Sequence, residues 1–310
     1  MRNFIGYSDL INNFKDRCLK NTLSHAHLIA GEDGIGKSKL ANILAKLILN
    51  GDLEREYVDI INYKSSKASF GVDEVRDIIE EVSKKPFEGD RKVIIIHEGN
   101  KLTIQAQNAL LKTIEEPPIG VHIIILCESL ELILDTIKSR CEIYKLTPLT
   151  KNELYEYIKI KGFDYNESDI RSAIAFSEGI PGRIDRYFND ENLRELRNKV
   201  IELIKSLNKN DVEIVLQQEE ALSTLKDNKE EVLNIFGSFI RDILIDKEDE
   251  NEEFIINGDK LDDIRELTKE MSFRKLNNMI KTIEEARKNI KSNVSWVMTL
   301  RVMLMGFMEG

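Results

Sequence analysis

The chain has 310 residues, of which 42% are hydrophobic and 32% are charged, and its formal net charge is −10. This length predicts about two domains with buried cores, and the composition excludes a disordered or a fibrous protein. The negative charge excludes a strongly basic coat for nucleic acid, because binding phosphates needs a surplus of lysine and arginine; local basic patches and DNA held jointly with partner subunits stay open.

Up to about residue 150, short apolar runs alternate with helix-like stretches. Five runs predict strands, at residues 27–30, 58–61, 93–96, 121–126 and 143–146. Most of them are continuous rather than alternating in polarity, which is typical of strands covered on both faces in a parallel sheet. The stretches between them predict helices, at residues 39–49, 72–82 and 104–114. Alternating strands and helices indicate an α/β domain over residues 1–150.

A phosphate-binding motif lies between the first strand and the first helix. Residues 31–38 read Gly-Glu-Asp-Gly-Ile-Gly-Lys-Ser and fit the pattern G-x-x-x-x-G-K-[ST]. In this pattern Gly31, Gly34 and Gly36 let backbone N–H groups point at a phosphate, and the helix N-terminus adds partial positive charge. We expect Lys37 to reach the β- and γ-phosphate oxygens and Ser38 to ligate Mg²⁺, so the segment predicts an ATP site. The alternative is a glycine-rich turn that is kept only as structure.

The predicted third strand ends at His97 and Glu98. In P-loop ATPases an apolar strand at this place ends in Asp-Glu, where the aspartate holds Mg²⁺ and the glutamate polarises the attacking water. The imidazole of His97 is a poor substitute for the aspartate, because Mg²⁺ prefers oxygen ligands. Glu98 remains a candidate base, and a neighbouring acid could take the place of the missing aspartate. We therefore expect weak or absent ATP hydrolysis.

Beyond residue 150 the strand signal disappears. Thr150 and Glu153 form a capping box that predicts the start of a helix, and a small helical region extends over residues 151–190. The rest of the chain is predicted to be helical, because apolar residues recur with a period of 3.6 in three stretches, over residues 193–207, 232–244 and 276–286. These stripes predict the core of a helical bundle; a face that packs on neighbouring chains is the other interpretation. The acidic residues 246–253 predict a solvated loop.

The three cysteines, Cys18, Cys127 and Cys141, are an odd number without a close pair. They exclude a disulfide framework and a four-cysteine zinc site within this chain. The first residues lack the apolar segment of a signal peptide, and no run approaches the ~18 apolar residues of a membrane span. We therefore expect no zinc, no membrane partner and a cytoplasmic location.

Further motifs follow the P-loop in a fixed order. Residues 108–118 read Asn-Ala-Leu-Leu-Lys-Thr-Ile-Glu-Glu-Pro-Pro, residues 139–141 read Ser-Arg-Cys, and residues 24–28, before the P-loop, read Ser-His-Ala-His-Leu. Together these motifs resemble the AAA+ subunits of the bacterial DNA polymerase III clamp loader. The resemblance runs from the N-terminus to about residue 190, and the last third matches only in kind. It implies an AAA+ P-loop domain at residues 1–150, a helical lid at 151–190 and a helical collar that joins subunits into a pentamer at 191–310.

The resemblance also implies a role for Arg140. In this family the arginine of Ser-Arg-Cys reaches across a subunit interface toward ATP bound by the neighbour, where a guanidinium stabilises the charge of a transferring γ-phosphoryl group. The alternative is an arginine that merely pairs with an acid at a sheet edge. Cys141 is expected to be a small buried residue rather than a nucleophile, because no histidine or asparagine constellation accompanies it.

Four departures from the family pattern favour its delta-prime branch over its gamma/tau branch. The acid before Glu98 is replaced by His97, and Gly182 stands where the gamma/tau pattern has a sensing arginine. The region after the fourth strand, residues 127–129, lacks a threonine or asparagine sensor, and the chain stops after its collar. The zinc-binding cysteines of gamma/tau are also missing, since residues 50–69 contain no cysteine, but this absence does not separate the two branches.

The resemblance therefore implies a delta-prime-like subunit that, with gamma/tau and delta subunits, helps an ATP-driven complex open the sliding clamp and load it on primed DNA. Such a subunit is at most a weak ATPase and contacts primer–template DNA through the complex, at the duplex backbone. One alternative is an active gamma/tau-like motor or another AAA+ remodelling ATPase, which predicts hydrolysis that Lys37→Ala abolishes. The other is a structural interaction protein with an empty P-loop.

Overall fold

The computed structural model describes residues 4–65, 67, 69–163, 165–209, 212–225, 228–249 and 252–308. Contacts divide the chain into two compact units, which we describe separately. The first consists of Met1–Gly162 and Gly179–Gly182, and the second of Phe163–Glu178 and Arg183–Gly310. The division into three domains at residues 150 and 190 stays a prediction.

A five-stranded parallel sheet forms the centre of the first unit. Its strands are β1 (Ala26–Ala30), β2 (Ile60–Tyr63), β3 (Lys92–Ile96), β4 (Val121–Cys127) and β5 (Glu142–Lys145). They lie in the order β2-β3-β4-β1-β5, and every neighbouring pair is parallel. The P-loop motif therefore follows the carboxyl end of β1, and β4 separates it from the carboxyl end of β3, where His97 lies.

Helices connect the strands as the alternating pattern predicts. They are α1 (Ser8–Leu19), α2 (Lys37–Ile48), α3 (Val72–Ser83), α4 (Ile104–Glu115), α5 (Asp135–Lys138) and α6 (Lys151–Lys161). The first turn of α6 carries the predicted capping box, in which the Thr150 hydroxyl accepts from Glu153 N and the Glu153 carboxylate accepts from Thr150 N. Helix α2 begins two residues before its predicted start, because the chain becomes helical directly after Gly36.

Burial differs between the central and the outer strands of the sheet. The strands β1 and β3 are buried along their whole length and β4 along almost all of it, whereas β2 and β5 are partly exposed. The second strand begins at Ile60 rather than at Val58. Val58 is exposed, and the buried Asp59 carboxylate instead accepts hydrogen bonds from the backbone N–H groups of Phe87 and Glu88, both at 2.7 Å. The sequence pattern therefore located this strand two residues too early.

The second unit is helical. It comprises α7 (Glu167–Ser177), most of α8 (Pro181–Asn189), α9 (Glu191–Lys209), α10 (Val212–Ser223), α11 (Lys229–Glu248), α12 (Leu261–Glu270), α13 (Phe273–Lys291) and α14 (Trp296–Met308). The predicted apolar stripes form its core, with Leu244 and Ile280 only partly buried. The Trp296 indole packs into this core and donates to the Leu222 carbonyl at 3.0 Å. The predicted fold class, α/β followed by all-α, is confirmed.

The acidic stretch at residues 246–253 is not a loop throughout. Helix α11 continues to Glu248, and Asp246 is buried within it. Nearby, the fully buried Asp242 carboxylate accepts the backbone N–H groups of Ile256 and Asn257, so the chain after α11 is bound back to the helix. The prediction of a solvated loop was therefore wrong for residues 246–248, and residues 250–251 of the same stretch lie outside the described residues. Within the described parts of the chain, none of the helices is both long and apolar enough to cross a membrane.

Candidate functional site

The P-loop residues form a cradle at the carboxyl end of β1. Gly36 has a φ of 107°, a conformation that side chains disfavour, and α2 begins at the next residue. Lys37 Nζ donates to the carbonyl oxygens of Gly31, at 2.7 Å, and Glu32, at 2.8 Å, so the ammonium group lies against the inside of the loop. Burial lowers the pKa of Lys37, and nearby carboxylates, Asp33 first, oppose that shift. The predicted phosphate ligands are therefore brought together.

A second backbone segment of the same unit packs directly on this cradle. The Gly182 N–H group donates to the Gly34 carbonyl at 3.0 Å, and a Cβ atom on Gly182 would lie 2.7 Å from Gly34 Cα. Real Cβ atoms essentially never come so close to backbone, so a side chain at residue 182 would push the P-loop aside. This contact gives a steric reason for glycine at the place where the gamma/tau pattern has arginine.

His97 is hydrogen bonded on both sides. Its Nδ1 lies 3.3 Å from Ser38 Oγ, and its Nε2 lies 2.9 Å from Asn62 Oδ1. Because the amide oxygen of Asn62 only accepts, Nε2 carries the proton and Nδ1 accepts from the Ser38 hydroxyl. Burial lowers the pKa of His97, and the charge of Lys64 lowers it further, which keeps the ring neutral at neutral pH. The three side chains form one chain of hydrogen bonds across the site.

The surroundings of Ser38 do not fit a magnesium ion well. The predicted ligand Ser38 faces an imidazole, whereas Mg²⁺ prefers oxygen ligands in octahedral geometry. The Glu98 carboxylate forms an ion pair with Lys101 at 3.1 Å. Among the described residues, no group of three or more histidine, cysteine, aspartate or glutamate side chains is arranged to hold a metal. The Ser38 hydroxyl, which is the predicted magnesium ligand, is therefore bonded to an imidazole in this structure.

These residues line a cavity of about 210 Å³. Its lining residues are Asp33, Lys37, Ser38, Lys64, His97, Glu98, Asn100, Leu126 and Glu128. Sequence reasoning did not select Asn62, Lys64 or Asn100. The signal for Asn62 and Lys64 is their place at the carboxyl end of β2, since ligands of parallel sheets bind beyond the carboxyl ends of the strands.

Arg140 lies just before the amino end of β5, whereas this cavity lies at the carboxyl ends of the strands. Its Nε lies 2.5 Å from Glu115 Oε1, and its Nη1 donates to the Thr136 carbonyl at 2.8 Å. The pairing with an acid, which was the alternative interpretation of this arginine, is therefore present. At the same time 38% of the side chain remains exposed. Burial raises the pKa of the neighbouring Cys141 thiol to about 12, which does not favour a nucleophilic thiolate.

Two family models match the chain. One is described as "DNA polymerase III, delta subunit" and matches residues 6–150. The other is described as "DNA polymerase III, delta subunit, C terminal" and matches residues 191–305. The first match contains the cavity and Arg140, and the second contains most of the helical unit, so the two together account for most of the chain.

Individual proteins are also similar. The DNA polymerase III subunit delta' of Bacillus subtilis is 26% identical over 294 residues, which cover 89% of this chain and 88% of the relative. The replication factor C small subunit of Natronomonas pharaonis is 27% identical over 180 residues, 56% of this chain, and the match spans only about half of that relative, 54%. A solved structure of a DNA polymerase III gamma subunit-related protein from Thermotoga maritima has a TM-score of 0.57 at 17% identity, covering 96% of this chain and 98% of its own; at this identity the likeness shows the fold alone.

Proposed function

The chain belongs to the family of DNA polymerase III clamp-loader subunits, and from this premise we propose that it is a delta-prime-like subunit that supplies Arg140 to a neighbouring ATPase subunit. In this proposal it assembles with gamma/tau-type and delta-type subunits in the cytoplasm. The ATP-driven complex then opens the sliding clamp and places it on primed DNA. The chain's own P-loop binds nucleotide without productive hydrolysis.

One observation carries the proposal: Arg140 and the P-loop lie at opposite ends of the parallel strands. Arg140 precedes the amino end of β5, whereas the P-loop follows the carboxyl end of β1, and these two strands are parallel neighbours. The five residues of β1 separate the two edges by about 16 Å at ~3.3 Å per residue. An arginine side chain does not bridge that distance and also reach a phosphate. A nucleotide that meets Arg140 is therefore bound by another subunit.

The hydrogen-bond chain at His97 supports an impaired site. The predicted magnesium ligand Ser38 is bonded to an imidazole, and the candidate base Glu98 is paired with Lys101. Hydrolysis in P-loop enzymes depends on a held metal and an oriented water. Neither role has an evident residue here. The phosphate cradle around Lys37 is complete, however, so ATP or ADP binding is retained.

The last helix supports assembly through the helical unit. Along α14 the side chains of Met298, Val302 and Met305 recur on one face and are each more than half exposed. Exposed apolar residues at this spacing form a continuous stripe on a helix. Such a stripe is typical of a surface that a partner covers. We therefore assign contact with neighbouring collar domains to this face. Contact with primer–template DNA is left to the assembled complex.

The proposal is tested by ATP turnover in a complex rebuilt from this chain, its gamma/tau-type and delta-type partners, the clamp and primed DNA. Arg140→Ala is expected to reduce turnover at least several-fold, because an arginine finger contributes several powers of ten to the rate at the site it serves. Arg76→Ala is the matched control, since Arg76 pairs with Asp73 on the exposed side of α3. Brisk hydrolysis by the chain alone, together with unchanged turnover in Arg140→Ala, would overturn the proposal.

A gamma/tau-like motor is the second candidate, and the complete P-loop favours it. That function predicts hydrolysis by the isolated chain and its loss in Lys37→Ala. The same assay of the isolated chain therefore distinguishes the two candidates.

A further inference from the structure

The last residue of α4 contacts the proposed finger. Glu115 ends the helix, and its Oε1 lies 2.5 Å from Nε of Arg140, which lies two residues beyond the end of α5. Helices α4 and α5 pack against each other, so the backbone segments that carry the carboxylate and the guanidinium are held next to each other. Both side chains are about 40% exposed, Glu115 at 41% and Arg140 at 38%. The pair is therefore on the surface, where a partner subunit can reach it.

The contacts of Arg140 fix the plane of its guanidinium and leave one side open. Nε forms an ion pair with Glu115, and Nη1 donates to the Thr136 carbonyl and, at 3.4 Å, to the Ser139 hydroxyl. Among the described residues none accepts from Nη2. A guanidinium offers its five N–H donors in a rigid fork, so fixing two of its nitrogens also fixes the direction of the third. The N–H of Nη2 that points away from the Nε edge is thereby held in a set orientation.

Stability does not explain this ion pair. Pairs between exposed charges contribute little to folding, because water screens them and two long side chains lose freedom. The carboxylate also has an electrostatic disadvantage, since it offsets part of the positive charge that a finger offers to a phosphate. Orientation is the remaining benefit, because a group held in its reactive geometry does not have to be ordered during the reaction.

We propose that Glu115 is a positioning residue for Arg140: it holds the guanidinium so that the outer N–H of Nη2 meets the phosphates of nucleotide bound by the neighbouring subunit. This inference rests on the proposed function, because it requires Arg140 to act in trans. It assigns to the first glutamate of the Glu-Glu-Pro-Pro segment a part in the turnover of a nucleotide that this chain does not bind.

The test uses the rebuilt complex and the steady-state kinetics of ATP hydrolysis. Glu115→Ala is expected to lower kcat about tenfold at an unchanged KM for ATP, because the finger is present but no longer oriented. Glu115→Gln is expected to keep most of the activity, since its amide oxygen offers Nε an acceptor at the same place. Glu116→Ala is the matched control, as it removes the next carboxylate, which is also exposed, and should behave like the wild type.

A double variant shows whether Glu115 acts through Arg140. Glu115→Ala combined with Arg140→Ala should be no slower than Arg140→Ala alone. Multiplied losses in the double variant would overturn the positioning role. So would a wild-type or raised kcat in Glu115→Ala, or equal losses in Glu115→Ala and Glu115→Gln. If Arg140→Ala itself leaves turnover unchanged, the proposed function fails rather than the positioning role alone. Size-exclusion profiles of each complex establish that assembly is intact.

Discussion

The parallel strands all end at one side of the sheet, the carboxyl edge, and all begin at the other, the amino edge. These two edges use their polar side chains in opposite ways. At the carboxyl edge the groups bond to one another: Lys37 to the carbonyls of its own loop, and Ser38 to His97 and onward to Asn62. At the amino edge Arg140 uses Nε and Nη1 within the chain, and 38% of its side chain remains exposed. The carboxyl edge thus resembles a self-contained binding site, whereas the amino edge lacks the group that its arginine would serve. In the proposed function the two edges therefore belong to different subunit interfaces.

The largest predicted effect is a change in the free energy of unfolding with pH. It comes from His27, in the amino half of β1. This side chain is fully buried, its ring stacks on that of His122, and burial lowers its pKa to about 3. The unfolded chain binds a proton at about pH 6.5, while the folded chain stays neutral until about pH 3. The free energy of unfolding should therefore fall as the pH drops through this window, by at most about 1.4 kcal/mol per pH unit.

Urea unfolding of the wild type and of His27→Phe between pH 7 and 4.5 measures this dependence. The variant should show the shallower decline, because it has no proton to gain on unfolding at this residue. His25→Phe serves as the matched removal of a histidine that is only partly buried. Parallel curves for the wild type and His27→Phe would contradict the assignment.

The next largest effect is a change in ATP affinity, which should depend on residues at the carboxyl edge and not on Arg140 at the amino edge. Lys37→Ala should weaken ATP binding to the isolated chain by about 10- to 100-fold, since hydrogen bonds to a charged group contribute about 1.5–3 kcal/mol each. Arg140→Ala should leave this affinity unchanged, because the arginine lies at the other edge of the sheet. Titration with a fluorescent ATP analogue measures both, with Lys39→Ala, an exposed neighbour on α2, as the control. A weakened affinity in Arg140→Ala would show that the two edges are coupled within one chain.

The smallest effect concerns magnesium. Because Ser38 faces the His97 imidazole instead of a carboxylate, removing Mg²⁺ with a chelator should change the ATP affinity of the wild type by only about twofold or less. His97→Asp supplies the oxygen ligand and should make the affinity depend on the cation. His97→Asn, which offers no charge, is the comparison. A strong magnesium dependence in the wild type would mean that another residue, such as Asp33 or Glu128, holds the ion.

Part of the site could be predicted from the sequence because it depends on residues that are close together in the chain. The P-loop pattern located Lys37 and Ser38, and the apolar run ending at residue 96 located His97 at the edge of the same sheet. The pattern of P-loop ATPases, in which an acid at the end of such a strand holds Mg²⁺, then joined them. The partners of these residues were not predictable in the same way. Asn62 is 35 residues from His97, and its contact depends on how β2 is registered against β3.

The sequence alone determined the strands, the helices and the motifs, since periodicity and loop chemistry act over a few neighbouring residues. It also marked Arg140, through a resemblance rather than through physics. The tertiary structure decided that Arg140 and the P-loop lie at opposite ends of the strands and that Glu115 pairs with the arginine. It also decided that Gly182 must lack a side chain because it packs on Gly34. These outcomes depend on strand order and on distances between residues far apart in the chain, which no local pattern specifies.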